Sequence, residues 1–230
     1  MNELFRTSVL FGVFISLLTY RIGLKLKQRW NFGLVNPLLI SIILTIIFLK
    51  AFKVEYSIYN EGAKYISYFL TPATVCLAVP LYEQWELLRK NYIAITVGIL
   101  SGVFVSATTI LVLCRFLKLD HKTYVTLLPK SITTAIGIGI SEELGGYVAI
   151  TVAAIIITGV MGNVLAPLIC RLFRITKPIA KGVGIGSASH AIGTSKALEM
   201  GELEGAISSL SLVATGLITV IVVPLIANFI

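Results

Sequence analysis

Residues 131–141 read SITTAIGIGIS, and residues 187–195 read SASHAIGTS. The triplet Ala-Ile-Gly at 135–137 returns at 191–193, which is an offset of 56 residues. Each copy is a small, polar, glycine-rich segment followed by a long apolar stretch. Repeats of this kind, with interrupted segments in corresponding positions, are typical of transporters whose binding site lies where the repeats meet.

The likeness continues beyond the triplet. Thr158-Gly159 and Pro167-Leu168-Ile169 return as Thr215-Gly216 and Pro224-Leu225-Ile226, at an offset of 57 residues. A fainter copy lies upstream, where Ala94-Ile95-Thr96 and Cys114-Arg115 match Ala149-Ile150-Thr151 and Cys170-Arg171. The pattern therefore predicts three related units in the second part of the chain.

The composition predicts an integral membrane protein. Of the 230 residues, 57% are hydrophobic and only 13% are charged. Four stretches long enough to span a bilayer carry no charge: 31–49, 91–114, 144–170 and 205–230. A spanning helix needs about 20 apolar residues, and lipid admits only helices and closed barrels. We predict an all-α protein with apolar helices at about 4–20, 32–50, 65–82, 91–114, 145–170 and 205–230.

The net charge of +8 does not indicate nucleic-acid binding. The basic residues fall in the predicted loops 21–29, 115–122 and 171–181, which is the pattern of cytoplasmic loops in membrane proteins. The first apolar stretch has no signal-peptide cleavage motif, so we interpret it as a first transmembrane helix. The three cysteines are spaced neither as a zinc site nor as a redox pair, and we expect no metal and no cofactor.

Two segments are too polar to face lipid along their whole length: 123–141 and 182–198. They are extramembrane loops, re-entrant hairpins, or broken helices that cross the bilayer. The charges favour crossing, because it places all basic helix ends inside and all acidic clusters outside. This gives about eight transmembrane segments, two or three of them interrupted, with both termini in the cytoplasm. Each repeat then crosses twice, so that successive copies are parallel.

The domain prediction is one integral membrane domain over residues 1–230. It consists of an N-terminal helix pair (1–60) and a transporter-like core of three related helix-pair units (61–230). The orientation of the first third stays open, because eight crossings place the basic 21–29 loop outside, whereas a re-entrant 65–82 segment places it inside.

The candidate site is an anion site between the interrupted segments. Glycines 137, 139, 184, 186 and 193 allow the backbone to leave helical geometry. Exposed N–H groups and hydroxyls at a helix break attract a small carboxylate. The predicted substrate-binding residues are Thr71, Thr74, Ser131, Thr133, Thr134, Gly137, Ser189, His190, Gly193, Thr194, Ser195 and Lys196. Lys130 and Lys196 are ambiguous, since a lysine can also extend to the membrane edge.

His190 is the strongest single candidate for a functional residue. Placing an ionisable side chain within an apolar span costs free energy, so such a residue is usually functional. It hydrogen-bonds a carboxylate, carries a proton, or simply donates to a neighbouring backbone carbonyl. Asn163 lies within a long apolar helix and needs a partner on another helix. No hydrolase elbow, metalloprotease motif or phosphate-binding loop is present, so we predict a protein that is not an enzyme.

Four motifs together resemble one known family. They are LTPATVCLAVPLYEQ (70–84), TLLPKSITTAIGI (126–138), RLFRITKPIAKG (171–182) and GIGSASHAIGTSKALEMGELEGAISSL (184–210). In this order they resemble the CidB/LrgB family over nearly the whole chain, and SHAIGTSKALEM is most similar to the CidB branch. The resemblance implies a holin-like or antiholin-like modulator of murein hydrolases and autolysis, acting with a small CidA/LrgA-type membrane partner.

Relatives of this family also include transporters of small carboxylates. The resemblance therefore implies two functions: a carrier for a small monocarboxylate of the pyruvate, glycolate or lactate type, moved with a proton or cation, or a holin-type oligomer. The long helices show no polar stripe that would line an oligomeric pore, which favours the carrier. We expect a multi-pass protein of the bacterial plasma membrane that forms homo-oligomers in the lipid bilayer.

Overall fold

The computed structural model describes residues 10–29, 37–69, 72, 75, 76, 78–83 and 85–230. These residues form helices and turns, with no strand among them. The chain divides into two compact units, Met1–Cys76 and Leu77–Ile230. The predicted all-α fold is therefore confirmed for the described residues.

Among its described residues, the first unit has the helices α1 (Phe11–Arg29), α2 (Pro37–Ala51) and α3 (Tyr56–Ser67). The predicted basic loop at 21–29 is wrong, because α1 continues to Arg29. Its Leu, Lys and Gln residues are good helix formers, and no proline interrupts them. The predicted helix at 65–82 does not begin as a new element either, because residue 65 lies in α3, which ends at Ser67.

The second unit contains eight helices among its described residues. They are α4 (Ala78–Glu83), α5 (Trp85–Lys90), α6 (Tyr92–Phe116), α7 (His121–Leu127), α8 (Thr134–Glu143), α9 (Val148–Leu172), α10 (Pro178–Met200) and α11 (Glu202–Ile226). Among the described residues, three helices are long and apolar enough to cross a membrane: α6, α9, and α11 with its short 3-10 extension to Phe229. The predicted total of about eight crossings is not confirmed.

Residues 121–143 fold back on themselves, and we call this segment hairpin 1. Thr126 in its first arm accepts a hydrogen bond from the backbone N–H of Tyr147, which follows the second arm, at 2.8 Å. A Cβ atom on Gly137 would lie 3.6 Å from the carbonyl oxygen of Pro129, eight residues earlier in the chain. A continuous helix would separate such residues by about 12 Å, so the two arms lie side by side.

Residues 178–200, helix α10, form hairpin 2. A Cβ atom on Gly193 would lie 3.1 Å from Cγ2 of Ile185, again eight residues earlier. Ala166 of α9 packs in one cluster with Ile185 in the first arm and Ala197 in the second. Helix α10 is therefore two short helices joined by a sharp reversal.

The bases of the two hairpins lie at opposite ends of the long helices. At the base of hairpin 2, Lys181 pairs with Glu204, in the first turn of α11, at 3.3 Å. At the base of hairpin 1, the hydroxyl of Tyr124 donates to the carbonyl of Ile226, the last residue of α11, at 3.1 Å. Helix α9 runs in the opposite direction, since Thr151 near its start contacts Thr126 of hairpin 1.

This arrangement corrects the predicted topology. The segments 123–141 and 182–198 are hairpins that enter from opposite ends, so the prediction that each crosses as a broken helix is wrong. Each repeat then contains one hairpin and one long helix, and successive repeats are inverted rather than parallel. The prediction that basic and acidic helix ends lie on opposite sides of the membrane is also wrong, because Lys181 and Glu204 form an ion pair.

The ends of two long helices support the repeat. After α6, the N–H of Leu119 donates to the carbonyl of Cys114 at 2.9 Å, and after α9 the N–H of Ile175 donates to that of Cys170 at 2.8 Å. In both turns a basic residue, Lys118 or Arg174, has the left-handed φ of 52°. The same capping pattern 56 residues apart indicates that α6 and α9 are equivalent elements.

One glycine fixes how hairpin 2 packs against α9. A Cβ atom on Gly162 would overlap the side chain of Ser189, next to the reversal. We expect Gly162→Ala to destabilise the protein by about 1–3 kcal/mol, because a packed interface has no room for the extra methyl group. The midpoint of thermal unfolding in detergent measures this effect.

The matched control is Gly139→Ala in hairpin 1, where a Cβ atom would meet nothing within 4 Å. This variant should keep or raise the midpoint, because alanine favours a helix by roughly 0.5–1 kcal/mol over glycine. Equal midpoints for the two variants would contradict the close packing of hairpin 2 on α9.

Candidate functional site

The tip of hairpin 1 is a break in helical geometry. Helix α7 ends in a 3-10 turn, Leu128–Ser131, whose Pro129 has the non-helical angles φ −84° and ψ 15°. Ile132 and Thr133 are then extended, with ψ of 178° and 146°, before α8 begins. Proline has no N–H to donate, so it helps to end the first arm here. The break places Lys130 and Ser131 at the tip.

The tip of hairpin 2 is His190, with φ 42° and ψ −144°. For a residue other than glycine, backbone strain at such angles costs about 1–3 kcal/mol. The conformation persists only because contacts with the surrounding structure hold it. The imidazole Nε2–H donates to the carbonyl of Ile155 in α9 at 2.9 Å, and the residue is 2% exposed. A Cβ atom on Gly159 would lie 2.5 Å from the imidazole Cε1, so this glycine makes room for the ring.

A cleft of about 440 Å³ lies between the two hairpins and α6. The residues that line it come from the middle of α6, the tip of hairpin 1 and the first arm of hairpin 2. They are Gly98, Ser101, Gly102, Val105, Ser106, Thr109, Lys130, Ser131, Val183, Gly184, Ser187 and Ala188. The two hairpins therefore contribute to one site, halfway along the long helices.

The polar groups of the cleft are hydroxyls and one ammonium. Lys130 Nζ donates to Ser131 Oγ at 3.1 Å, and Ser131 Oγ lies 3.2 Å from Ser106 Oγ. Among the described residues, no carboxylate lines the cleft and no ion pair includes Lys130. A positive charge with hydroxyl donors and no acidic partner favours an anion, because charge-assisted hydrogen bonds to carboxylate oxygens are the strong ones.

Comparison with known proteins identifies the family of the chain. The sequence profile of the LrgB-like family matches residues 16–229. The chain belongs to the LrgB-like family. Similar relatives include the proteins named antiholin-like protein LrgB of Bacillus mycoides (strain KBAB4), Bacillus cereus (strain B4264) and Bacillus anthracis (strain CDC 684 / NRRL 3495). Each is 39% identical over 221 residues, which cover 96% of both chains.

No solved structure matches the chain. The family and the three long apolar helices together identify a membrane protein. The resemblance to the CidB/LrgB family is thus confirmed, while the placement within the CidB branch stays a prediction. The described residues of this LrgB-like protein contain no group of three potential metal ligands.

Of the twelve predicted site residues, Ser131 lines the cleft of this LrgB-like protein. Thr133 occupies the N-cap position of α8 without a side-chain capping bond, and Thr134 is the first residue of the helix, both beside the tip of hairpin 1. Ser189 is buried against Gly162, and His190 binds the carbonyl of Ile155. The contact of His190 is the backbone alternative that the sequence left open.

The remaining predicted residues in hairpin 2 lie in its second arm, away from the cleft. The hydroxyl of Thr194 lies 2.9 Å from that of Ser208, and Lys196 pairs with Glu199 at 2.7 Å. The hydroxyl of Ser195 donates to the carbonyl of Ile192 at 2.7 Å. Asn163 Nδ2 donates to the same carbonyl at 2.8 Å, so its predicted bond to another helix is confirmed. Thr71 and Thr74 lie outside the described residues.

The predicted role of the glycines as helix breakers is wrong. Gly137, Gly139, Gly184, Gly186 and Gly193 all lie within helices, and the breaks fall at residues 132–133 and at His190. Three of the five glycines serve close packing: a Cβ on each would crowd Ile155, Ser208 or Ser189. Small residues commonly allow helices to approach in membranes, and here they hold the hairpins in place.

The sequence interpretation missed the contribution of α6. Gly98, Ser101, Gly102, Ser106 and Thr109 recur every three or four residues and line the cleft. The expectation that this helix has no polar stripe is therefore wrong. A Cβ on Gly102 would lie 2.9 Å from Ser187 Oγ, so the stripe also brings hairpin 2 close. This spacing could have predicted a polar helix face from the sequence, because residues three and four positions apart lie on the same face of a helix.

Proposed function

We propose that this LrgB-like protein is a secondary carrier for a small monocarboxylate of the pyruvate, glycolate or lactate type. The observation that supports it most directly is the cleft between the hairpins, with Lys130 and the hydroxyls of Ser131 and Ser106. A carboxylate can bind the ammonium as an ion pair and accept hydrogen bonds from the hydroxyls. In this proposal Lys130 binds substrate, and His190 is a positioning residue that holds the tip of hairpin 2.

The inverted arrangement of the hairpins supports alternating access. Hairpin 1 separates the cleft from one end of the long helices, and hairpin 2 separates it from the other. Transporters built from inverted repeats expose a central site to each side in turn by moving one part against another. A proton or cation that moves with the anion would drive accumulation.

The name of the relatives supports a second, regulatory part of the proposal. They are called antiholin-like, and we propose that carboxylate movement by this protein modulates murein hydrolase activity and autolysis. A small membrane protein of the CidA/LrgA type is the proposed partner. The proposed location is the bacterial plasma membrane, with several crossings and a homo-oligomeric state.

The same name favours one alternative, in which an antiholin-like oligomer regulates murein hydrolase export without carrying a substrate. Uptake of labelled pyruvate, glycolate and lactate into proteoliposomes separates the two functions. A carrier gives saturable uptake that unlabelled carboxylates reduce and that the corresponding uncharged carboxamides leave unchanged. Liposomes without protein provide the background.

Release of a trapped fluorescent dye from the same proteoliposomes is the second measurement. A carrier retains the dye at every protein density, because its cleft never opens to both sides together. Dye release that rises steeply with protein density, with no saturable uptake, would reject the carrier in favour of an oligomeric pore.

A further inference from the structure

A second, smaller cavity lies behind the cleft, between the tips of the hairpins and α11. Its volume is about 20 Å³, and its polar lining comes from Ser106, Ser131, Ser187, Thr215 and Thr219. Ser106, Ser131 and Ser187 also line the cleft. The cavity is large enough for one water molecule, which needs about 10–15 Å³ measured in this way.

Thr215 makes this cavity unusual. The residue is 2% exposed, and its hydroxyl has no hydrogen-bond partner among the described residues. Three other buried hydroxyls of α11 have partners: Ser208 bonds to Thr194, and Ser209 and Ser211 donate to backbone carbonyls one turn earlier. A buried hydroxyl without a partner is costly, so the Thr215 hydroxyl requires a ligand inside the cavity.

We propose that one ordered water molecule binds in this cavity and joins the Thr215 hydroxyl to the serine hydroxyls of both hairpin tips. A buried water typically makes two to four hydrogen bonds, and the lining supplies that number. Water fits better than a cation, because the described residues that line the cavity include no carboxylate and the Lys130 ammonium donates to one of its hydroxyls at 3.1 Å. A metal cation there would be repelled by that ammonium.

The bound water adds a polar link between the two hairpins and the middle of α11. It joins α11 to Ser131 in hairpin 1 and to Ser187 in hairpin 2. It also gives those hydroxyls a further partner. The water site rests on the cavity and on Thr215, and it does not depend on carboxylate transport.

Thr215→Val tests the proposal, because valine keeps the shape of the side chain and removes only the hydroxyl. If the hydroxyl binds water, the variant should unfold about 2–4 °C below the natural protein, the shift expected for the loss of one such contact in a chain of this size. An unchanged or higher midpoint would overturn the proposal, since removal of an unsatisfied hydroxyl costs nothing. Thr109→Val, which removes an exposed hydroxyl of the cleft, is the matched control and should leave the midpoint unchanged.

A high-resolution experimental density map of the natural protein gives an independent answer. We expect a peak at hydrogen-bond distance, about 2.7–3.0 Å, from Thr215 Oγ1, and its loss in Thr215→Val. An empty cavity in the natural protein would overturn the proposal. Unfolding in sodium chloride and in choline chloride identifies the occupant: equal midpoints support water, whereas stabilisation by sodium that Thr215→Val abolishes would show a cation site instead.

Discussion

Lys130→Met should abolish saturable carboxylate uptake in proteoliposomes. Methionine keeps an apolar side chain of similar length but removes the ammonium, which is the only charge among the described residues that line the cleft. The loss of one partner from a desolvated charge pair costs about 2–5 kcal/mol. Because every 1.4 kcal/mol is a factor of ten, transport at low substrate concentration should fall by roughly 30-fold or more. Initial uptake rates at several substrate concentrations measure this effect.

Three further variants define which charge matters. Lys130→Arg keeps the positive charge and should retain part of the uptake. Lys177→Met removes the same charge from an exposed residue at the base of hairpin 2 and should have no effect. Lys196→Met removes a lysine that pairs with Glu199 outside the cleft and should also leave uptake intact.

The opposite result would move the site within the protein. If Lys196→Met stops uptake while Lys130→Met does not, the anion binds along the second arm of hairpin 2, where the sequence placed Thr194, Ser195 and Lys196. Loss of folded protein in Lys130→Met would show as a lower yield after gel filtration. For that reason, rates are compared per amount of monodisperse protein.

The sequence predicts the parts of this fold that depend on local composition. Charge-free stretches show where α6, α9 and α11 lie, because a helix in lipid must be apolar along its length. The repeat identifies the two polar segments as equivalent, and their polarity indicates that they are interrupted, although the glycines proposed as breakers lie within helices. Ser131 was found in this way, since it lies directly at a break.

The direction of the chain after each break depends on tertiary contacts. The reversal at His190 requires a φ of 42°. The hydrogen bond to the carbonyl of Ile155 stabilises this conformation, and the absence of a side chain at Gly159 leaves room for the imidazole ring. These partners lie more than 30 residues away in sequence, so no local pattern reveals them. No local pattern reveals the ion pair of Lys181 and Glu204 either, since these residues lie 23 positions apart, and it overturned the predicted separation of basic from acidic helix ends.

The corrected topology makes a prediction with an all-or-none outcome. If hairpins 1 and 2 enter from opposite faces of the membrane, single cysteines at Lys122 and Lys177 should react with an impermeant maleimide from opposite sides. Both lysines are exposed, one at the base of each hairpin. Two crossing segments would instead place both positions on the same side.

The distribution of basic residues also predicts which hairpin base faces the cytoplasm. Arg89, Lys90, Arg171, Arg174, Lys177 and Lys181 lie near the base of hairpin 2, whereas Arg115, Lys118 and Lys122 lie near the base of hairpin 1. Basic residues in short loops favour the cytoplasm, so the base of hairpin 2 should be cytoplasmic. Lys122→Cys should then react in intact cells, and Lys177→Cys only after the cells are opened.

The labelling requires a background without reactive thiols. Cys76 is exposed and needs replacement by serine, Cys114 is buried and takes alanine, and Cys170 lies at the end of α9 and takes serine. Retention of uptake in this background shows that the fold is intact. Because the inverted repeats require one hairpin on each face, reaction of both cysteines from a single side would exclude a two-sided cleft and with it alternating access through these hairpins.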